Sequence, residues 1–141
     1  MKIQRFKVHE SGLNRFFGPL EAKIMEVLWH SEGLALTIKE VQQRLEQDQE
    51  KPMNFNTVMT VMNRLVEKGI LAKKQEGRTS LYRPKLTKNH FLETQSKELT
   101  HELMEEFGPL VVSHMLDALE DVDPSLMEKL EQKIKQWKKE R

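Results

Sequence analysis

Asn56, Thr57, Thr60, Asn63 and Arg64 lie within nine residues of one another. In a helix these spacings bring short amides, hydroxyls and one guanidinium onto a single exposed stripe. Groups of this kind match the donors and acceptors of base edges and phosphates in the major groove of duplex DNA. No carboxylate enters the run until Glu67, and Met59 within it could meet a thymine methyl. A polar helix face more often simply meets water, so the neighbouring elements must support the DNA reading before it holds.

Other chemistries find little support. The histidines (His9, His30, His90, His101, His114) are scattered, with no zinc-protease spacing, no glycine-rich phosphate loop and no nucleophile elbow. The sequence therefore predicts no enzyme and no cofactor. His101 with Glu105, and His114 with Asp117, have helical spacings that could bind a metal, although solvated pairs of this kind are commoner. The absence of cysteine excludes disulfides and thiolate chemistry, and fits a reducing cytoplasm. No apolar run approaches the roughly 20 residues of a membrane span, and the basic start leads to no apolar signal core. A cytoplasmic protein without membrane insertion is expected.

The elements that must hold the stripe can be read in order. From Asn54 to Gly69, Val58, Val61, Met62, Leu65 and Val66 recur with helical period. Asn54 is the expected N-cap, and Gly69 followed by Ile70 the expected left-handed stop. Upstream, Gly18-Pro19 should open a helix whose buried face is Leu20, Ile24, Val27 and Leu28, with Gly33 ending it. Trp29 reads as a packing residue. Thr37-Ile38-Lys39-Glu40 has the form of a capping box, opening a helix buried through Ile38, Val41 and Leu45 and broken at Lys51-Pro52. Two short helices with a tight link match a helix-turn-helix. Downstream, Leu71–Lys74 and Thr79–Arg83 flank Gln75-Glu76-Gly77-Arg78, a predicted hairpin turn. Three helices followed by a basic hairpin make a winged helix.

The fold expected is mainly α with a small β-hairpin wing, followed by a helical region. The boundaries fall at 1–17 for a basic extension, 18–86 for the winged helix and 87–141 for the helical part. In the extension, Lys2, Arg5, Lys7 and Arg15 suggest either a DNA-touching arm or a frayed end, with Leu13, Phe16 and Phe17 pinning it to the core. After a hinge capped by Thr87, helices break at Gly108-Pro109 and at Asp121–Pro124. Their apolar residues include Leu99, Leu103, Phe107, Leu110, Val111, Met115, Leu116, Leu119, Leu130, Ile134 and Trp137. These helices are too few and too amphipathic to bury their own faces, so a second copy is expected to cover them; folding back onto the winged helix is the alternative.

Charge follows the same division. Up to His90 there are 16 Lys or Arg against 10 Asp or Glu, and beyond it 7 against 12. Between Lys51 and Lys88 the balance is 9 against 2. Lys51, Arg64, Lys73, Lys74 and Arg78 are the expected phosphate contacts, which would make binding strongly salt dependent.

The segments Gly-Pro-Leu-Glu-Ala-Lys-Ile-Met-Glu-Val-Leu-Trp (18–29), Asn-Thr-Val-Met-Thr-Val-Met-Asn-Arg-Leu-Val-Glu-Lys-Gly-Ile-Leu (56–71) and Glu-Gly-Arg-Thr-Ser-Leu-Tyr-Arg-Pro (76–84) closely resemble the penicillinase repressor family. The resemblance runs over about 18–140, specific in the winged helix and looser beyond it. It implies a homodimeric repressor on a palindromic DNA operator, often upstream of β-lactam resistance genes. It also implies relief by a membrane-bound sensor protease that triggers cleavage in the dimerisation region. The family's DNA contacts correspond to Asn56, Thr57, Thr60 and Arg64, with wing contacts around Arg78. Two departures stand out. The family's scissile Asn-Phe bond aligns with His114-Met115, and the cysteine cluster of a copper-responsive branch has no counterpart. Competing readings are a metal-responsive repressor using His and carboxylate ligands, and a protein-interaction adaptor on the same fold.

Overall fold

A computed structural model describes residues 6, 7, 9–121 and 123–140. Lys2 and Arg5 of the expected basic arm lie outside them. The chain divides into two compact units between Glu93 and Thr94.

The first unit begins with a 3-10 turn, Gly12–Arg15, followed by α1 (Pro19–Trp29), α2 (Ile38–Gln49) and α3 (Phe55–Glu67). The strands β1 (Leu71–Glu76) and β2 (Thr79–Pro84) form an antiparallel hairpin, and α4 (Lys88–Phe107) starts in this unit. This is the helix, helix, helix, hairpin order of a winged helix-turn-helix. Its core is Ile24, Met25, Leu28, Val41, Leu45, Val58, Met62 and Leu65 from the three helices, closed by Ile70, Leu71 and Tyr82.

Local chemistry sets the helix ends. Glu21 Oε1 accepts from the Gly18 N–H at 3.0 Å, and Pro19 takes the first helical position. The Thr37 hydroxyl accepts from the Glu40 N–H at 3.1 Å while the Glu40 carboxylate accepts from the Thr37 N–H at 3.0 Å. Asn54 Oδ1 accepts from the Thr57 N–H at 3.1 Å, a cap of about 1 kcal/mol. At the far end of α3, Gly69 has φ +78°, its N–H donates to the Val66 carbonyl and that of Ile70 to Leu65, each at 3.0 Å. That pair of bonds, with Ile70 buried, is a Schellman stop.

Three features differ from the sequence reading. Helix α1 ends at Trp29, not near Gly33, because Ser31 is buried and turns its hydroxyl back onto the Val27 carbonyl at 2.8 Å. Glu32 and Gly33 then take positive φ and reverse the chain. The hairpin turn is tighter than Gln75–Arg78: the ladder continues to Glu76↔Thr79, leaving Gly77 and Arg78 as the loop. Gly77 is at φ +62°, as a two-residue hairpin loop demands. Leu36 also exchanges two backbone hydrogen bonds with Tyr82, at 2.9 and 2.8 Å, adding a one-residue bridge to the wing.

The segment before α1 is anchored. Phe17 stacks on Phe91 with centroids 5.3 Å apart, Phe16 meets Phe91 edge-on, and Leu13 is buried. Lys7 donates to the Phe17 carbonyl, and Arg15 sits over the Phe6 ring. Trp29 packs on Phe91 and donates its indole N–H to the Leu86 carbonyl at 2.9 Å, as a packing residue should.

In the second unit α4 continues to Phe107, α5 spans Pro109–Glu120 and α6 spans Pro124–Lys139. Gly108 makes the α4–α5 break at φ +41°, and Asp123 caps α6 through the Ser125 N–H at 3.0 Å. That exposed Asp123 carboxyl lies below the usual aspartate range, because Ser125 hydrogen bonds hold its ionised form. No described residue from Ser96 to Glu140 is buried.

Candidate nucleic-acid interface

The buried side of α3 is Val58, Met62 and Leu65, with Val61 and Val66 half-buried beside them. At 100° per residue the opposite side is centred on Asn56 and Thr60, with Asn63 and Arg64 to either flank. Asn56, Thr57, Thr60 and Arg64 are exposed and Asn63 is half-buried. Thr60 donates its hydroxyl to the Asn56 carbonyl at 2.8 Å. Its proton is therefore committed, and what it offers outward is an acceptor oxygen and a methyl. Asn63 accepts a hydrogen bond from the Tyr82 hydroxyl at 3.0 Å, tying α3 to β2. Glu67 is exposed one turn beyond Asn63 and bounds the uncharged part of the stripe.

The turn that presents α3 is clipped from α2. Gln42 Nε2 donates to the Met53 carbonyl at 2.8 Å, and Glu46 accepts from the Met53 N–H at 3.2 Å. Neither role shows in the sequence, because each joins residues seven or more positions apart across a turn. Lys51 is exposed on this link. Phe55, the first residue of α3, is 43% exposed although the helical period sets it on the core-side edge, between Met62 and Val66.

Charge beside the α3 stripe is shaped by Glu21. Burial would raise its carboxyl, but hydrogen bonds from Lys68 and the Gly18 N–H, with the charges of Lys68 and Arg64, outweigh that and hold it lowered. The Lys68 ammonium sits 2.8 Å from the Glu21 carboxylate, so it is occupied within the protein. Arg64 feels the same carboxylate from the neighbouring turn of α3 without forming a salt bridge to it among the described residues.

On the wing, strand alternation divides the basic residues. Opposite Lys73 stands Tyr82, and opposite Lys74 stands Leu81. Lys73 therefore shares the core-side face with Leu71 and Tyr82, its ammonium 5.6 Å from the Tyr82 ring centroid. Lys74 shares the outer face with Arg83, and its ammonium is 3.6 Å from the Glu76 carboxylate. The two neighbours in sequence cannot address one flat surface together. Arg78 stands at the exposed tip.

In the second unit, Leu103, Phe107, Leu110, Met115, Leu116, Ile134 and Trp137 are exposed, while Leu99, Val111, Leu119 and Leu130 are half-buried. Ten of the twelve exposed large apolar side chains among the described residues lie between Leu103 and Trp137. Helices α5 and α6 pack on each other and leave an open apolar trough of about 470 Å³, lined by residues such as Val112, Met115, Leu116, Leu126 and Leu130. His101 Nε2 lies 3.0 Å from Glu105 Oε1 on an exposed face, and no group of three metal-ligating side chains forms among the described residues. No helix among them is long and apolar enough to cross a membrane.

A family model described as penicillinase repressor matches residues 17–136. Among curated proteins no significant match is found. Solved structures similar to this chain include a CopR repressor, at 31% identity over 57% of this chain and 99% of its own, with a TM-score of 0.39. The hsRosR–S1 complex aligns at 19% identity over 82% of this chain and 99% of its own, TM-score 0.48. RosR of H. salinarum aligns at 18% over 77% and 98%, TM-score 0.47.

Proposed function

The chain belongs to the penicillinase repressor family of non-enzymatic, DNA-binding transcriptional repressors, and from that premise we propose that it binds a palindromic operator as a homodimer. Helix α3 would enter the major groove, with Asn56, Thr57, Thr60 and Asn63 meeting bases or nearby phosphates. Lys51, Arg64, Arg78 and one of Lys73 and Lys74 would hold the backbone. The observation that carries this reading is the exposed α3 stripe, free of carboxylates from Asn56 to Arg64, beside a basic wing.

Two copies joined through the apolar faces of α4, α5 and α6 would set two α3 helices one or a few helical turns apart. Repression would follow from occluding polymerase, in the cytoplasm where the DNA lies. Promoters of β-lactam resistance genes, and the promoter beside the chain's own gene, are the first places to look for its inverted repeat. Relief by a sensor protease would face a structural obstacle at His114-Met115. Both residues sit inside α5, so a protease would have to open that helix before its peptide bond could enter an active site.

Gel shifts with two variants test the reading. Arg64→Ala should weaken binding to every duplex alike, whereas Asn56→Ala should change which duplexes are preferred. Parental behaviour from both would remove α3 as the reader. A protein-interaction adaptor would instead show no DNA binding even at low salt.

A further inference from the structure

We infer that Tyr82 is a positioning residue that turns Asn63 to read DNA chiefly as a hydrogen-bond donor. The inference rests on the proposal that α3 is the DNA-reading helix. An asparagine that recognises adenine must present its carbonyl oxygen and its amide nitrogen side by side to one base edge, accepting from N6 and donating to N7. Here Asn63 Oδ1 accepts from the Tyr82 hydroxyl at 3.0 Å. A phenol is a good donor and a poor acceptor, because its lone pairs are drawn into the ring, so the amide oxygen is the end it selects.

Tyr82 cannot yield easily. It is 1% exposed, its N–H and carbonyl are both bonded to Leu36, and its ring is covered by Lys73. With the oxygen turned back onto this fixed hydroxyl and one of its two lone pairs taken, the Asn63 amide group leads toward the groove with its two N–H donors. A side chain that leads with its donors favours an edge that presents adjacent acceptors, which is guanine with N7 and O6. It is repelled by the N4 donor of cytosine. The ladder partner of Tyr82 is Lys73, so the wing residue and the α3 residue are held by one side chain. Wing placement and base preference thereby meet at a single side chain, Lys73 at its ring and Asn63 at its hydroxyl.

Tyr82→Phe removes that hydroxyl and keeps the ring, so the core should survive. The test recovers preferred duplexes for the full-length protein from a randomised pool. The recovered site then competes against its single-position variants, for the parent, Tyr82→Phe, Asn63→Ala and Arg64→Ala, with thermal unfolding to check each fold. The parent is expected to prefer guanine at one position in each half-site. Asn63→Ala should abolish that preference, and Tyr82→Phe should cut it by about five- to tenfold and admit adenine there. Preferences at the other positions should stay as in the parent.

A Tyr82→Phe protein with the parental preference at every position would overturn the inference. So would a uniform loss across all sequences, which would mean a merely structural role. Arg64→Ala keeps the two levels apart. If it and Asn63→Ala both bind as the parent does, α3 is not the reader and the proposed function itself fails; if they change binding while Tyr82→Phe changes nothing, only the positioning role fails.

Discussion

The steepness with which salt weakens operator binding can be worked out by asking which of the expected phosphate contacts the fold leaves available. Lys68 is taken by Glu21 and Lys88 by Glu26, each at 2.8 Å, and neither should reach DNA without first breaking that pair. Lys51, Arg64 and Arg78 are exposed and carry no salt bridge among the described residues. Strand alternation lets Lys73 or Lys74, but not both, join them. That gives about four phosphate contacts per subunit and eight per dimer, hence a slope of log K against log salt near −7 at about 0.9 per contact. Raising salt fourfold should then cost roughly four orders of magnitude in affinity. Fluorescence anisotropy with a labelled operator across a salt series measures the slope directly. Arg78→Ala should make it shallower by about 2, one unit per subunit, and only one of Lys73→Ala and Lys74→Ala should do the same. A slope shallower than about −3, or equal changes from both lysine variants, would refute the reasoning about pairing and alternation.

Other outcomes follow from the same structure. Leu116→Glu puts a charge on the exposed apolar face of α5; sedimentation should show a dimer for the parent and a monomer for the variant, with operator affinity reduced about 100-fold. Glu21 has a lowered pKa in the folded chain, so its contribution to stability is complete above the ordinary glutamate range and fades as pH falls through the folded value. Denaturant titrations of Glu21→Gln should accordingly show a smaller loss of stability on acidification than the parent. Zinc or copper titrated into the operator complex should leave affinity unchanged; a tenfold change would bring back the metal-responsive reading and point to His101 and Glu105.

What could be read from the sequence was what short-range chemistry decides. The Thr37–Glu40 box, the Asn54 cap and the Gly69-Ile70 stop each need only three to six consecutive residues, and each occurs where the pattern placed it. The α3 stripe was legible for the same reason, since helical period follows from spacing alone. The features that escaped are those joining distant residues. Phe17 finds Phe91 across more than seventy positions, Gln42 and Glu46 grip the Met53 backbone, and Leu36 pairs with Tyr82 through a bridge too short to have a period. The end of α1 was misplaced because a buried Ser31 hydroxyl competes with the next helical turn, a contest that burial decides. Lys73 and Lys74 show an intermediate case. Their opposite faces follow from strand alternation, but only once the hairpin register is known does it become clear which faces the core.

The two units differ in what they can do unaided, and that difference bears on how repression would be switched. Every buried apolar side chain among the described residues belongs to the first unit, from Leu13 to Phe91. The second has amphipathic helices with their large side chains in the open, and a trough between α5 and α6 that water must otherwise fill. A self-sufficient winged helix joined to a region that needs covering places folding and affinity under different controls. Removing the cover would leave the DNA-reading unit folded while dividing one bivalent contact into two weak ones. A signal that acted on α5 and α6 would then empty the operator without touching a single residue of α3.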